Sequence, residues 1–321
     1  MKSYWLAPGA AGATLELRDA PRPEPGQGQL LVAVRASCFN RGEILPHPSG
    51  GTAAKPAGIE CAGEIAHLGA GVTGFAVGER IMGRCTGGFS EYALVDARDA
   101  LRVPARVTFE EAAAIPLAFM VAHDMLVTHG KLAAGEWLLV TGVSSGVGVA
   151  CLQAGKALGA NVIGTSGSAE KLAKLERFGL DVGVATRGSG FHEPALRATG
   201  GKGVNLVVNN VGGTVFAECI KTLAYEGRLA TVGYLDGTFK AEIDLEALHT
   251  RRLHLFGVSN KLRPAAERAL TVRAFERDFL PYFADGRIRP VVDRVFTLDE
   301  LPAARAYFDS NAMVGKVVVR L

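Results

Sequence analysis

A glycine- and serine-rich segment, Thr141-Gly142-Val143-Ser144-Ser145-Gly146-Val147-Gly148, follows the apolar run Trp137-Leu138-Leu139-Val140. The apolar run predicts a buried parallel strand, and the segment after it predicts a turn into a helix over residues 147–158. Small residues let the backbone approach a pyrophosphate, and the free N–H groups of a helix N-terminus attract its charge. The segment therefore predicts a dinucleotide-binding turn. Its candidate cofactor-binding residues are Gly142, Ser144, Ser145, Gly146, Val147 and Gly148.

The segment departs from the pattern G-x-G-x-x-G, because Val143 and Ser145 stand in place of the first two glycines. On its own, such a string is equally consistent with a turn that binds nothing. Its placement favours the cofactor site, since a strand precedes it, a helix follows it, and residues 159–164 read as a second strand.

The end of that second strand chooses between the two nicotinamide cofactors. An NAD enzyme uses a carboxylate about 20 residues past the turn to hold the adenosine ribose, and this charge would repel a 2′-phosphate. The residues found there and at the end of the third strand are Ser166, Gly167, Ser168, Lys171 and Arg187. Hydroxyl donors beside cations predict NADPH. The alternative is that the serines only cap the helix starting near Ala169, with Lys171 in solvent.

The order of the elements predicts two kinds of domain. The first 120 residues alternate short β-branched runs with Gly and Pro turns, which is typical of a small, mostly β domain. From about residue 135, strand, glycine turn and helix repeat at intervals of roughly 20 to 30 residues, which indicates parallel βαβ units. The last residues return to the strand-rich pattern, so both chain ends are expected to form the first domain.

Composition excludes several classes of protein. The five cysteines have neither ligand nor pairing spacing, and Met1-Lys2-Ser3-Tyr4-Trp5 is not an apolar signal segment. These features predict a reducing, cytoplasmic location. No run approaches the ~18 apolar residues of a membrane span. The net charge of +3 is dispersed among 35 basic and 32 acidic residues, so no nucleic-acid partner is expected.

The residues around Gly58-Ile59-Glu60 resemble the metal site of the medium-chain dehydrogenase/reductase superfamily with its ligands replaced. Zinc members have Gly-His-Glu here, so Ile59 stands at the His ligand, Asn40 at a Cys ligand and Leu117 at a third ligand. Ile59 and Leu117 have no lone pair to give a metal. Over nearly its whole length the chain is therefore similar to the zinc-free branch, which contains quinone oxidoreductases and enoyl reductases, and no metal is expected.

The resemblance implies an α/β fold class with two domains. A Rossmann domain with a doubly wound parallel sheet would occupy residues 121–260, and a GroES-like, mostly β catalytic domain would combine residues 1–120 and 261–321. A homodimer is expected through the edge of the Rossmann sheet near residues 253–259. Further cofactor contacts are implied for Asn210, Val211, Phe256, Val258, Asn311 and Lys316.

The resemblance also implies the catalytic residues. It places Asn40 beside the nicotinamide, where its amide can orient an acceptor carbonyl without titrating. Arg41, the next residue, would add positive potential. The alternative for Arg41 is a structural salt bridge with Glu43 or Glu60.

Other polar residues near this region are given lesser roles. Relatives commonly have Thr-Ala-Tyr or Thr-Ala-Trp at the start of the interdomain helix, whereas this chain has Val121-Ala122-His123. Val121 therefore lacks a hydroxyl donor. His123 is either an unusual active-site group or a packed helix residue, and packing is the favoured interpretation. For His47 and Cys38, packing or a surface position is expected, and for Glu60 a structural hydrogen bond.

Loss of the Lewis acid restricts the reaction. A simple ketone needs a strong electrophile, whereas a quinone or an α,β-unsaturated carbonyl delocalises the charge that hydride brings. The sequence predicts a zinc-independent, NADPH-dependent oxidoreductase that transfers hydride to such small molecules. The alternatives are an enoyl thioester reductase and an NADPH-binding protein with little turnover, in a crystallin-like or RNA-contacting role.

Overall fold

The computed structural model describes residues 1–7, 14–44 and 53–321. The chain divides into two compact units. Unit 1 comprises Met1–Leu117, Ala265–Ala284 and Pro290–Leu321. Unit 2 comprises Ala118–Pro264 and Asp285–Arg289.

The secondary-structure elements are numbered in chain order. The strands are β1 (Lys2–Ala7), β2 (Thr14–Asp19), β3 (Gln29–Cys38), β4 (Lys55–Pro56), β5 (Glu60–Leu68), β6 (Arg80–Thr86), β7 (Tyr92–Arg102), β8 (Trp137–Thr141), β9 (Asn161–Ser166), β10 (Val182–Ala185), β11 (Val204–Asn209), β12 (Leu223–Thr231), β13 (His254–Gly257), β14 (Val292–Thr297) and β15 (Lys316–Arg320). The α-helices are α1 (Arg41–Ile44), α2 (Phe109–Ala113), α3 (Pro116–His123), α4 (Gly146–Ala157), α5 (Ala169–Glu176), α6 (His192–Ala198), α7 (Phe216–Thr222), α8 (Leu245–Thr250), α9 (Ala265–Asp278), α10 (Leu280–Asp285) and α11 (Leu301–Asp309). A π-helical segment, Asp124–His129, follows α3, and short 3-10 segments, Gly213–Val215 and Leu298–Glu300, precede α7 and α11.

Unit 2 contains a parallel sheet in the strand order β10-β9-β8-β11-β12-β13. Counted along this unit, the order is 3-2-1-4-5-6, the doubly wound arrangement. Its central strands are continuous apolar runs, as is usual for parallel sheets buried on both faces, and Leu138, Leu139 and Val140 are fully buried. The strand order reverses beside β8, and ligands of such sheets bind at the carboxyl ends of the strands at that point. The predicted dinucleotide turn begins there.

Unit 1 is built on a six-stranded sheet in the order β14-β15-β3-β5-β6-β7. Strand β7 also pairs with β3, so β3, β5, β6 and β7 close into a barrel. Gly63 lies where β5 crosses β3, and a Cβ there would be 2.1 Å from the Ala33 carbonyl oxygen. The barrel is filled by side chains from all four strands: Leu30, Val32, Val34, Cys61, Ile65, Ile81, Cys85, Ala93, Val95 and Ala100. A separate three-stranded sheet has the order β2-β1-β4.

The predicted fold class is confirmed, with small shifts in the element boundaries. The helix predicted over residues 147–158 is α4 (Gly146–Ala157), because the hydroxyl of Ser145 caps it one residue earlier. The second strand begins at Asn161 instead of residue 159, since Gly159 has a φ of 83° and still belongs to the preceding turn. In the part of the chain that the structure describes, no helix is long and apolar enough to cross a membrane.

Candidate functional site

The predicted dinucleotide turn joins β8 to α4 in unit 2. Ser145 accepts a hydrogen bond at its Oγ from the N–H of Gly148, 3.1 Å away, and so caps the helix. A Cβ on Gly148 would lie 2.4 Å from the Gly142 carbonyl oxygen, so only glycine lets the helix start this close to the strand. The N–H groups of Gly146 and Val147 lie in the first helical turn, where they have no acceptor within the helix. This geometry suits the negative charge of a pyrophosphate.

The residues predicted to bind the 2′-phosphate lie together at the end of β9. The hydroxyls of Ser144 and Ser166 are 3.2 Å apart, which ties the turn to this second strand. A Cβ on Gly167 would lie 2.5 Å from Cγ and 2.8 Å from Nε of Arg187, so the Arg187 side chain crosses directly over Gly167. The absence of side-chain atoms at Gly167 therefore lets a guanidinium approach the loop.

Ser168 has the capping role that was considered as the alternative. Its Oγ accepts a hydrogen bond from the N–H of Lys171 at 3.3 Å, and its own N–H donates to Oγ of Ser166 at 3.4 Å. In both bonds the hydroxyl oxygen is the acceptor, so the Ser168 hydroxyl keeps a proton that it can donate to another oxygen. Capping and phosphate binding are thus compatible in one side chain.

The turn after β11 is held by the side chains of Asn209 and Asn210. Only Asn210 was predicted from the sequence to contact the cofactor. Asn210 donates from Nδ2 to the Thr141 carbonyl oxygen at 3.1 Å. The Thr141 hydroxyl donates to Oδ1 of Asn209 at 3.2 Å, and the same Oδ1 accepts from the N–H groups of Val211 and Gly212 at 3.1 Å each. The two Asn side chains therefore join the carboxyl ends of β8 and β11. Sequence analysis missed Thr141, the residue that both of them contact.

Two further candidates lie at the end of β13. Val258 is buried, and its N–H donates to the carbonyl oxygen of Thr231 at 3.0 Å. Phe256 is half-buried, with its ring centroid 5.6 Å from that of His129. Contacts of both residues with a cofactor stay predictions.

In unit 1, Glu60 lies at the centre of a buried polar cluster, defined as Cys38, Asn40, Glu60 and Lys316. Its Oε1 accepts hydrogen bonds from Nδ2 of Asn40 at 2.6 Å, Sγ of Cys38 at 2.8 Å and Nζ of Lys316 at 3.0 Å. Its Oε2 accepts the N–H of Leu117 at 2.8 Å. Asn40 and Leu117 stand where zinc members of the resembled superfamily have metal ligands. Both donate a hydrogen bond to the carboxylate of Glu60.

Lys316 supplies a positive charge to this cluster. Besides Glu60, its ammonium donates to Oδ1 of Asn40 at 2.8 Å and to the Phe39 carbonyl oxygen at 3.2 Å, which uses all three of its protons. Burial alone would lower the pKa of Lys316, but the charge of Glu60 and its hydrogen bond to the ammonium raise it above its ordinary value. The predicted contact of Lys316 with a cofactor would have to displace one of these three bonds.

The charges and donors of the cluster do not fit a zinc ion. Ile59 has no lone pair, and the buried ammonium of Lys316 already neutralises Glu60. Burial, reinforced by Glu60, raises the pKa of the Cys38 thiol well above its ordinary value, so this sulfur remains a neutral donor and not a thiolate ligand. Among the described residues, no group of three or more His, Cys, Asp or Glu side chains could hold a metal.

Arg41 has neutral partners, contrary to the salt bridge considered from the sequence. Its guanidinium donates to Oδ1 of Asn311 at 2.6 Å and to the Phe308 carbonyl oxygen at 3.3 Å, and its Cζ lies 4.6 Å from the centre of the Phe308 ring. Neither Glu43 nor Glu60 pairs with it, because both carboxyl groups are bound to backbone or cluster donors instead. The guanidinium that is predicted to add positive potential is therefore half-buried and stacked on an aromatic ring.

Glu43 is a site residue that the sequence did not single out as titratable. Its Oε1 accepts the N–H of Gly58 at 2.7 Å, whereas its buried Oε2 has no hydrogen-bond partner in the described chain. Burial raises the pKa of Glu43 from 4.5 to about 7, against the opposing effects of the Gly58 N–H and Lys55. A buried carboxyl that titrates near neutral pH is a frequent mark of a functional site.

The raised pKa of Glu43 predicts a pH-dependent stability. The folded chain keeps a proton that the unfolded chain releases between pH 4.5 and 7, so the free energy of unfolding should fall as pH rises through this window. The expected loss is about 3 kcal/mol, at about 1.4 kcal/mol per pH unit. The Glu43→Gln variant should not show this fall in the free energy of unfolding. Urea unfolding at pH 5 and pH 8 measures the difference, and the exposed Glu24→Gln serves as a control that should follow the wild type.

Two histidines named from the sequence remain, His123 and His47. His123 is buried at the end of α3, as expected for a packed residue. His47 lies outside the described residues.

Comparison with known proteins identifies both units. Residues 26–105 match the family model described as "Alcohol dehydrogenase GroES-like domain", and residues 146–272 match the one described as "Zinc-binding dehydrogenase". The structure is similar to that of a mycobacterial protein solved in complex with NADPH, with a TM-score of 0.87 and 26% identity over 100% of both chains.

Two curated relatives cover most of the chain. The acryloyl-coenzyme A reductase of Metallosphaera sedula is 30% identical over 95% of this chain and 96% of its own length. The quinone oxidoreductase-like protein 2 of Bos taurus is 30% identical over 82% of this chain and 76% of its own length. The chain therefore belongs to the medium-chain dehydrogenase/reductase family, as an oxidoreductase of its zinc-free, quinone oxidoreductase-like branch.

Proposed function

We propose that this oxidoreductase uses NADPH to transfer hydride to quinones or α,β-unsaturated carbonyls without a metal ion. The observation that carries the proposal is the Glu60–Lys316 ion pair, whose N–O distance is 3.0 Å. An ammonium with all its protons engaged neutralises the carboxylate but cannot bind a substrate oxygen as a Lewis acid does. The acceptor must therefore delocalise negative charge by itself, as conjugated carbonyls do.

Asn40 is the proposed donor to the acceptor carbonyl. Lys316 donates to its Oδ1, which fixes the amide orientation and directs Nδ2 toward Glu60. One Nδ2 hydrogen makes the 2.6 Å bond to Glu60, and the other has only the Cys38 carbonyl oxygen at 3.4 Å. A bond of that length is weak, so the second hydrogen can turn to a carbonyl oxygen at little cost.

The choice of NADPH rests on the loop after β9. It has no carboxylate to hold a ribose 2′-hydroxyl, and it brings Ser166, Ser168 and the Arg187 side chain together around Gly167. The solved mycobacterial structure in complex with NADPH, which this chain resembles over its whole length, supports the same choice.

Cofactor selectivity should depend on Lys171. Lys171→Ala should weaken NADPH binding about tenfold or more and leave NADH nearly unchanged, because a charge-assisted phosphate contact contributes ~1.5–3 kcal/mol. Lys174→Ala is the matched control, since it removes an ammonium from the same helix that pairs with Glu170. Titration of both cofactors by fluorescence checks the effect. Equal losses for NADPH and NADH would show that Lys171 does not bind the 2′-phosphate.

A second candidate function is reduction of enoyl thioesters. The resemblance to an acryloyl-coenzyme A reductase over nearly the full length of both proteins favours it. NADPH oxidation measured with quinones, enals, enones and enoyl thioesters, with and without a chelator, separates the candidates. Turnover of none of these acceptors would leave the third interpretation, an NADPH-binding protein with little activity. Turnover that a chelator abolishes would contradict the metal-free mechanism.

A homodimer through β13 is part of the proposal. Within the described chain this strand pairs only with β12, so its outer edge presents free backbone groups. Light scattering should give twice the monomer mass, and a proline at Leu255, in the middle of the strand, should lower it. A monomer at all concentrations would contradict the prediction.

A further inference from the structure

Glu43 lies in the same helical turn as Asn40. Its N–H donates to the Asn40 carbonyl oxygen at 3.1 Å, and its Oε1 is fixed by the N–H of Gly58 at 2.7 Å. Only glycine fits at position 58, because a Cβ there would lie 2.5 Å from the Phe89 nitrogen and its φ is 93°. The carboxyl group is thus held between the proposed carbonyl donor and the start of β5.

Among the described residues, the second oxygen of this carboxyl group has no hydrogen-bond partner, whether the group is ionised or protonated. If Glu43 is ionised, Oε2 is a buried anionic oxygen without a donor, which is costly. If it is protonated, the O–H is a buried donor without an acceptor. Burial favours the protonated form, and a bound molecule with a basic oxygen or carbon would satisfy its free donor.

The charged groups that act on Glu43 come from three strands. Lys55 on β4 is exposed, so solvent weakens its effect. Glu60 on β5 and Lys316 on β15 act in opposite directions and pair with each other at 3.0 Å. Among the described residues, therefore, no neighbouring charge holds Glu43 firmly in its ionised form.

We propose that Glu43 is the general acid of the reaction and donates the proton on its Oε2 to the acceptor after hydride transfer. This inference rests on the proposed function. A hydride supplied by NADPH would bring two electrons to the β-carbon of an α,β-unsaturated carbonyl and would leave an enolate. The Oε2–H bond then breaks, the enolate α-carbon takes the proton, and Glu43 is left as a carboxylate. Water returns the proton before the next cycle.

The wild-type protein already tests this role. Turnover of an α-methyl enone should be highest below pH 7 and fall about tenfold per pH unit above it, because only the protonated acid is active. In heavy water, deuterium should enter the α-carbon from one face. An α-carbon labelled equally on both faces would overturn the inference whatever any variant does, since solvent would then be the acid.

Glu43→Gln keeps the shape of the side chain but has no proton to give. It should lower enone turnover roughly 10²-fold at pH 6, remove the fall near pH 7 and scramble the α-carbon label. Quinone reduction, which needs no carbon protonation, and NADPH affinity should change little. The exposed Glu24→Gln is the matched control and should behave as the wild type.

The two hypotheses fail in different ways. If the wild type reduces neither quinones nor enones, the proposed function is wrong. If it reduces both and Glu43→Gln keeps the wild-type rate, pH profile and facial selectivity, only the role of Glu43 is wrong. A Glu43→Gln protein that loses quinone reduction and NADPH binding together with enone turnover would indicate a structural role and would also overturn the inference.

Discussion

Replacement of Lys316 by Met is expected to destabilise the protein by roughly 3–5 kcal/mol, because it leaves the carboxylate of Glu60 buried without its counter-ion. Glu60 is fully buried and Lys316 nearly so. Asn40 and the Phe39 carbonyl oxygen would each lose a donor at the same time. Urea unfolding at pH 7 measures the loss.

The double variant Lys316→Met with Glu60→Gln isolates the cause. With both charges gone, a large part of the lost stability should return, since the cost lies mainly in the unpaired charge and not in the missing contact. Lys2→Met is the control, because it breaks an exposed ion pair with Asp299 and should have little effect. A Lys316→Met protein as stable as the wild type would show that the ion pair with Glu60 does not stabilise the folded chain.

The same variant bears on the cofactor. The sequence predicted that Lys316 contacts NADPH, whereas its three protons bond to Glu60, Asn40 and the Phe39 carbonyl oxygen. If those bonds persist when NADPH is bound, Lys316→Met should leave NADPH affinity nearly unchanged in protein that remains folded. A large loss of affinity would support the predicted contact.

The features of unit 2 that the sequence predicted depend on local chemistry. The apolar run before Thr141 is typical of a strand buried inside a parallel sheet. The glycines that follow are needed because strand and helix approach each other closely there. The start of α5 at Ala169 follows from the capping serine before it. Such signals lie within a few residues of the structure that they specify, so one sequence is enough to read them.

The polar cluster of unit 1 depends on contacts that sequence spacing does not reveal. Glu60 and Lys316 are 256 positions apart and meet only because β15 pairs with β3, which in turn pairs with β5. Glu43 differs from many surface glutamates only in its burial, and the neighbouring sequence does not predict that burial. Arg41 lies two positions before Glu43 in the sequence, yet its guanidinium stacks on Phe308, a residue near the other end of the chain. The residues were visible in the sequence, but their partners were not.

Asn40→Ala is expected to lower turnover of a quinone or an enone roughly 10²- to 10³-fold while NADPH binding stays largely intact. Asn40 lies in unit 1, and the residues predicted to hold the dinucleotide turn and the 2′-phosphate lie in unit 2. Loss of the amide removes a donor with a weakly engaged hydrogen, that of the 3.4 Å contact with the Cys38 carbonyl oxygen. Steady-state kinetics and cofactor titration on the same protein separate the two effects. Asn161→Ala, which removes a surface amide from unit 2, is the control.

The mechanism also restricts the reverse reaction. Oxidation of a simple alcohol requires a group that acidifies its hydroxyl, and the ammonium of Lys316 is already bonded to three oxygens. The wild type should therefore oxidise primary and secondary alcohols with NADP at no measurable rate, even when zinc is added. Robust alcohol oxidation would contradict the metal-free mechanism. Unchanged turnover in Asn40→Ala would leave that mechanism standing without a carbonyl donor, and Arg41, whose guanidinium donates to Asn311 and stacks on Phe308, would become the residue to replace next.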